Sequence, residues 1–227
     1  MISGGLDSCV TAFIAKSKEY ELHAISFDYG QLHKRELDSA KKIATAVGAK
    51  NHIIFNVNLK QFGGSSLLDN TFTFPKDRED VFDKEKKHIP STYVPARNTI
   101  FLSIALGYAE ALNADAIFIG VTATDYSGYP DCRPEYIDAF QKLSNLATRR
   151  GIEGNPIKIE TPLINLTKNQ IIQEGLRLNA PLGDTWSCYI GGKKACGSCD
   201  SCLYRLKGFK EAGAKDPIKY EKYPRWY

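Results

Sequence analysis

The chain has 227 residues, 43% of them hydrophobic, and a formal charge of only +4 from 30 basic and 26 acidic side chains. That is enough for one α/β core with a small appendage, and it lacks the basic block that nucleic-acid binding demands, so small molecules are the simpler partners. No apolar run approaches the ~18 residues of a membrane span and no signal-peptide pattern opens the chain, which points to a soluble, cytoplasmic protein whose six cysteines are not a disulfide framework.

The first element is the stretch Ser3-Gly4-Gly5-Leu6-Asp7-Ser8, just ahead of apolar residues at helical spacing from Leu6 to Ile14. Without a Cβ, Gly4 and Gly5 allow backbone N–H groups to converge on an oxyanion, Ser3 and Ser8 add hydroxyl donors, and the helix turns its positive dipole end inward. An ordinary turn and helix cap would explain Ser3 or Asp7, but not the whole set, so a phosphate site is the better reading. No Gly-Lys-Ser/Thr ending makes it a Walker A loop.

His23 to Phe27 then reads as a buried strand ending at Asp28-Tyr29-Gly30-Gln31, and Leu32 to Val47 as a helix stopped by Gly48. Ile53 to Val57 is a second strand, Arg97 to Leu112 an apolar helix, Ala116 to Gly120 a further strand, and Glu135 to Arg149 a helix behind Pro134. This alternation predicts an α/β fold with a doubly wound parallel sheet and ligands at the strand C-terminal ends. Residues 60–92 break the rhythm and read as an insertion, either a lid or a solvated loop. The expected organisation is a nucleotide-binding domain over 1–160 and a helical, metal-binding region over 161–227, whose first helix opens at Thr167-Lys168-Asn169-Gln170. A hydrophobic strand should run into Ser3, yet only Met1 and Ile2 precede it, so the expectation is an incompletely represented N-terminus on an unchanged fold.

Cys196-Gly197-Ser198-Cys199-Asp200-Ser201-Cys202, with Cys188 upstream, offers four thiolates within a short span ahead of a helix from Asp200 to Ala212. Four sulfurs are the number that tetrahedral Zn²⁺ requires, and a fully sulfur-ligated ion has no open position, which makes it structural. An iron–sulfur cluster is the alternative. Cys9 reads as a core residue of the first helix. Two further segments are rich in recognition groups. Tyr93-Val94-Pro95-Ala96-Arg97-Asn98 places Arg97 and Asn98 at a helix N-terminus, where an anion or ring edge could dock. After Gly120, residues 122–135 carry Asp125, Tyr129, Asp131, Arg133 and Glu135: tyrosines to stack on a heterocycle, acids to accept from ring N–H and amino groups, and a guanidinium to hold a carboxylate. A structural turn rich in Asp, Gly and Pro is the competing reading of that segment.

The SGGLDS loop resembles the PP-loop of the ATP pyrophosphatases, with their adenine nucleotide alpha hydrolase-like fold. Taken with the segment Phe27 to Gln31, the Pro95 to Asn98 stretch, the string Asp125 to Arg133 and the four cysteines, in that order, the chain resembles the QueC family of 7-cyano-7-deazaguanine synthases in queuosine biosynthesis. The resemblance implies a ligase that converts 7-carboxy-7-deazaguanine and ammonia to the nitrile through adenylated intermediates, releasing AMP and pyrophosphate, with magnesium accompanying each ATP. It implies that Ile2, Ser3, Gly4, Gly5, Leu6, Asp7, Ser8, Phe27 and Gly120 bind ATP. Tyr93, Asn98, Asp125, Tyr129, Asp131, Arg133 and Glu135 would bind the deazaguanine acid, Ser3, Asp7, Ser8 and Arg97 would act in catalysis, and Cys188, Cys196, Cys199 and Cys202 would hold zinc. His33, just after Gln31, is a candidate for contact with the phosphates or the nucleophile, whereas His23, His52 and His88 read as structural or solvated. No direct nucleic-acid contact is expected, and a homodimer is compatible with the sequence.

Overall fold

The computed structural model describes residues 1–69, 76–78, 81–82, 89–123 and 129–227. Helix α1 spans Leu6–Ser17, strand β1 His23–Asp28, α2 Arg35–Val47 and β2 Asn51–Asn56. Then come α3 at Arg97–Ala111, β3 at Ala116–Phe118, α4 at Pro134–Ala147, the short α5 at Arg149–Ile152 and β4 at Lys158–Glu160. Helices α6 at Lys168–Arg177 and α7 at Asp200–Glu211 complete the described elements.

The boundaries follow local chemistry. Gly48 sits in the left-handed region at φ 78° and stops α2, while Thr167 and Gln170 form a reciprocal capping box that starts α6. Pro134 opens α4, where its missing N–H costs nothing. The expected helix to Arg149 divides because Thr148 leaves helical geometry at ψ 151° and caps α5 by accepting from the Gly151 N–H.

Both strand ladders are parallel: β1 with β2 from His23↔Asn51 to Asp28↔Asn56, and β3 with β4 from Ala116↔Lys158 to Phe118↔Glu160. These are two pairs, where one doubly wound sheet was expected. The chain between them is only Met1-Ile2: the Ile2 N–H donates to Ile25 O at 2.9 Å on one side, and the Met1 nitrogen donates to Phe118 O at 2.8 Å on the other. A dipeptide joins the pairs at one level but is too short to form a ladder with either.

One apolar core lies between the strands and α3, built on Ile25, Phe27, Leu102, Ile117 and Ile157; a second between α1, α2 and β1 holds Cys9, Ala40 and Ile43. A third joins α1 to α6 and α7 through Val10, Ile171, Ile172 and Phe209, each at or near full burial. Part of 60–92 is packed: Leu68 is buried in the first core and Ser65 and Ser66 are buried beside it, whereas Phe62 and Ile89 are exposed. Asp77 N–H donates to Ser198 O at 2.8 Å, which brings this segment against the cysteine region.

Candidate active site

A cavity of about 360 Å³ opens where the C-terminal ends of β1 and β3 meet the N-terminus of α1. The glycine loop forms one wall, the start of α3 another, and the cysteine segment a third.

In the loop, Gly4 has φ 90° and a Cβ there would lie 1.9 Å from Glu36 O, so both conformation and contact with α2 require glycine. Gly5 has ordinary dihedrals and leads into α1 as its cap without a side-chain bond. The serines are tied together: Ser3 Oγ donates to Ser8 Oγ at 3.0 Å, Ser8 Oγ donates to Gly5 O at 3.0 Å, and Gly5 N–H donates to Ser3 Oγ at 3.3 Å. Trp186 N–H donates to Gly4 O at 2.9 Å, clamping the loop from the C-terminal side. Asp7 receives Lys168 Nζ at 2.7 and 2.9 Å on its two oxygens. Gly120 lets α1 approach the end of β3, since a Cβ there would stand 2.9 Å from the Asp7 carbonyl carbon. All the loop residues except Gly4, together with Phe27 and Gly120, line the cavity.

At the other end Phe27 stacks on Phe101 with ring centroids 4.0 Å apart, and Tyr29 lies beside them. Arg97 extends from α3 between two rings, its guanidinium carbon 5.8 Å from the centre of Tyr29 and 5.9 Å from that of Tyr129. Among the described residues no carboxylate forms an ion pair with it, although it lines the cavity. Ala96 before it is held at φ 52°, a strained setting for a residue with a Cβ, and its N–H donates to Tyr93 Oη at 3.0 Å. Tyr129 is fixed by a 2.8 Å hydrogen bond between its hydroxyl and that of Thr92. Glu36 also lines the cavity, and its Oε1 accepts from Gln31 Nε2 at 3.0 Å. Burial pushes the Glu36 carboxyl up to about 7, against the opposing pull of Arg97 and Gln31.

The remaining residues singled out in the sequence fall in several places. Asn98 and Asp131 bind one another: Asn98 N–H donates to Asp131 Oδ2 at 3.0 Å and Asn98 Nδ2 to Asp131 O at 3.0 Å, so the carboxylate serves the free N–H groups at the start of α3. Asn98 also donates to Cys132 Sγ at 3.3 Å, and burial pushes that thiol up to about 12, which keeps it protonated at neutral pH. Arg133 is exposed, its Nε donating to Pro130 O at 3.2 Å, and Glu135 is exposed on the first turn of α4; neither lines the cavity. Asp125 and His88 lie outside the described residues. His33 lines the cavity and packs on Gly191, His23 pairs with Glu21 at 3.2 Å, and His52 bonds Ser26 Oγ at 2.8 Å. Cys9 is fully buried.

The cavity also holds Gln31, Glu36, Lys168 and Trp186, which the sequence reading did not single out as site residues. Glu36 looks like any acid in the first turn of a helix, where it complements the dipole. Lys168 did carry a signal, because a cation at the first position of a helix opposes that dipole.

Cys188, Cys196, Cys199 and Cys202 bring their sulfurs within 4.8 Å of one another, and Cys196 Sγ and Cys202 Sγ are 3.8 Å apart. Tetrahedral Zn–S bonds of ~2.3 Å separate sulfurs by about 3.8 Å, so the donor set and its spacing fit a metal ion. Backbone N–H groups of Ile190, Cys196, Ser198 and Cys199 donate to Cys188 Sγ or Cys196 Sγ at 3.3–3.5 Å, support that thiolates need. Gly197 makes the knuckle possible with φ 71° and a Cβ position only 1.9 Å from Lys222 O. Cys188 and Tyr189, with Ser201 and Tyr204 of α7, also line the cavity, so the cysteine site is part of its wall.

The sequence profile described as Queuosine biosynthesis protein QueC matches residues 1–213. A 7-cyano-7-deazaguanine synthase of Nostoc punctiforme is 53% identical over 220 residues, covering 97% of each chain. Proteins of the same name from Trichodesmium erythraeum and Thermoplasma acidophilum are 54% and 52% identical; the first covers 96% of this chain and 97% of its own, the second 100% and 93%. A profile match over nearly the whole length, with relatives at this identity, places the chain in the QueC family of queuosine biosynthesis proteins.

Proposed function

We propose that this chain is an ATP-dependent ligase that converts 7-carboxy-7-deazaguanine and ammonia to 7-cyano-7-deazaguanine, releasing AMP and pyrophosphate, on a doubly wound PP-loop fold. The observation that carries the reading is the two-ended cavity in a QueC-family chain: an oxyanion loop at one end, and at the other an arginine between tyrosines that forms no ion pair with a carboxylate among the described residues.

A carboxylate resists amination because its oxygen is a poor leaving group. The acid's oxygen therefore attacks the α-phosphorus of ATP, and the bond to the β-phosphate breaks as pyrophosphate departs toward Ser3, Gly5 and Ser8. Ammonia adds to the acyl adenylate, loses a proton and expels AMP to give the amide. The amide oxygen then attacks a second ATP, and the adenylated imidate loses a proton and AMP to leave the nitrile. Each carboxylate oxygen thus leaves on one AMP. The protein needs no covalent intermediate for this, and its work is charge stabilisation and positioning.

Arg97 is suited to hold the carboxylate, Tyr29 and Tyr129 to border the heterocycle, and Glu36 with Gln31 to accept from a guanine-like edge or from the amine. Asp7 would serve as loop organiser or as the metal-side acid toward magnesium, which would supply charge neutralisation on the triphosphate. Cys188, Cys196, Cys199 and Cys202 would hold zinc as a structural ion. Mass spectrometry of the product from purified protein, carboxydeazaguanine, ammonium and Mg-ATP tests the reading. Nitrile is the expected product; ATP consumption only with tRNA, and no nitrile, would contradict it.

A further inference from the structure

At neutral pH ammonia is present as ammonium, which has no lone pair. The site must therefore hold a small cation beside the acyl carbon and take one proton from it before a C–N bond can form. Both tasks ask for a carboxylate that lines the cavity, stands between its two ends and has an oxygen to spare.

Glu36 meets these conditions. It lies in the first turn of α2 and lines the cavity. Its carbonyl oxygen is the atom that a Cβ on Gly4 would strike, so its backbone is packed against the glycine loop. Its side chain is tied to the other end through Gln31: Glu36 Oε1 accepts from Gln31 Nε2 at 3.0 Å, and Gln31 Oε1 accepts the Tyr29 N–H at 2.8 Å. Gln31 Nε2 also donates to Phe27 O at 3.4 Å, so this amide is committed on both sides and acts on Glu36 as a positioning group. Among the described residues Glu36 Oε2 has no hydrogen bond, and no lysine or arginine forms an ion pair with the carboxylate. A guanine-like edge presents two parallel donors, whereas Gln31 already engages one of the two oxygens; a single N–H donor suits what remains.

The charged and titratable groups that face Glu36 are Arg97 from α3, Asp28 at the end of β1 and Tyr29 just beyond it. Burial, helped by Asp28, outweighs the pull of Arg97 and Gln31 and brings the carboxyl to about 7, where a base can both take and release a proton near neutrality.

We infer that Glu36 binds the ammonium ion and is the general base for amide formation, a role that rests on the ligase reading of the cavity. One N–H of ammonium gives its proton to Glu36 Oε2, and the lone pair freed on nitrogen forms the C–N bond to the acyl carbon of the adenylate. The C–O bond then breaks with its electron pair on the bridging oxygen, which departs with AMP and takes the second proton shed by nitrogen. Glu36 returns its own proton to solvent.

The test compares two amines on the full chain with carboxydeazaguanine and Mg-ATP, reading amide, nitrile and hydroxamate by mass spectrometry. Hydroxylamine is largely unprotonated at neutral pH and needs no base to expose its lone pair. Glu36→Gln is expected to lower kcat/KM for ammonium about a hundredfold and that for hydroxylamine by less than about tenfold. Equal losses for the two amines, or no loss for ammonium, overturn the proposal. A second readout needs no variant. The parent's kcat/KM for total ammonium should rise to about pH 7 and level off above it, because Glu36 has then lost its proton. A rise that continues at about tenfold per pH unit to about pH 8 means that only free ammonia reacts, and overturns the proposal as well. Pyrophosphate–ATP exchange that depends on the deazaguanine acid separates the two levels. If the parent shows neither exchange nor amide, the ligase reading falls and the Glu36 role with it; exchange by the parent with a variant that treats both amines alike removes the Glu36 role alone.

Discussion

Arg97 and Arg133 are both guanidiniums near the segment that the sequence marks for recognition, and their surroundings separate them. Arg97 lines the cavity between Tyr29 and Tyr129, whereas Arg133 is exposed and bonded to its own turn. Arg97→Ala is therefore expected to lower kcat/KM for the deazaguanine acid by about 2–4 kcal/mol in transition-state binding, and Arg133→Ala to stay within about twofold of the parent. Steady-state kinetics of the pair decides it; an unimpaired Arg97→Ala would move the carboxylate site elsewhere. Asp131 is a buried acid whose carboxylate accepts the Asn98 N–H, so Asp131→Ala should lower thermal stability by about 1–3 kcal/mol, read as a drop in Tm.

Glu36 gives a pH signature at the same scale. Its folded pKa, raised to about 7, lies above the ordinary carboxyl value of 4.5. A raised carboxyl contributes its stability fully below about 4.5 and loses it as pH rises through about 7. Glu36→Gln removes that ionisation, so its Tm should change less than the parent's between pH 4.5 and 8 and should exceed it at the upper end. Parallel Tm profiles for the two proteins would exclude a Glu36 that titrates with a raised pKa.

At the scale of elements, the glycine loop and its neighbours show what a linear reading catches. Helix α1 and the capping box of α6 were legible because periodicity and capping chemistry are local. The double glycine was legible as a tight loop ahead of α1, but not the difference between its members: Gly4 is fixed by contact with α2, whereas Gly5 meets only Ser3 Oγ and Trp186 O. Gly4→Ala forces a Cβ into Glu36 O at positive φ and should cost more than about 2 kcal/mol of stability. Gly5→Ala meets only Ser3 Oγ at 3.5 Å and Trp186 O at 3.8 Å, so it should fold like the parent while losing ATP turnover. Thermal melts beside AMP release separate the two, and a stable Gly4→Ala would contradict the contact. Glu36, Gln31 and Trp186 were not legible as site residues, because only the tertiary approach of α2 and the cysteine segment to the loop gives them their place. The packing of Leu68, from a segment without periodicity, was hidden for the same reason.

For the molecule as a whole, the cysteine site and the cavity are one construction. Cys188, Tyr189 and Ser201 line the cavity, and α7 carries both Cys202 and the Gly208 surface under Lys168. About one zinc per chain is expected by elemental analysis, and Cys199→Ser or chelation should lower Tm and ATP turnover together. Iron with visible absorption would establish a cluster instead. The central claim is that both oxygens of one carboxylate leave as AMP in this cavity. Its most direct test is turnover of the deazaguanine acid carrying ¹⁸O in both carboxylate positions, with mass spectrometry of every product. The account predicts two AMP per nitrile, each with one ¹⁸O, and unlabelled pyrophosphate. Unlabelled AMP, label in pyrophosphate, or ADP in place of AMP would contradict it.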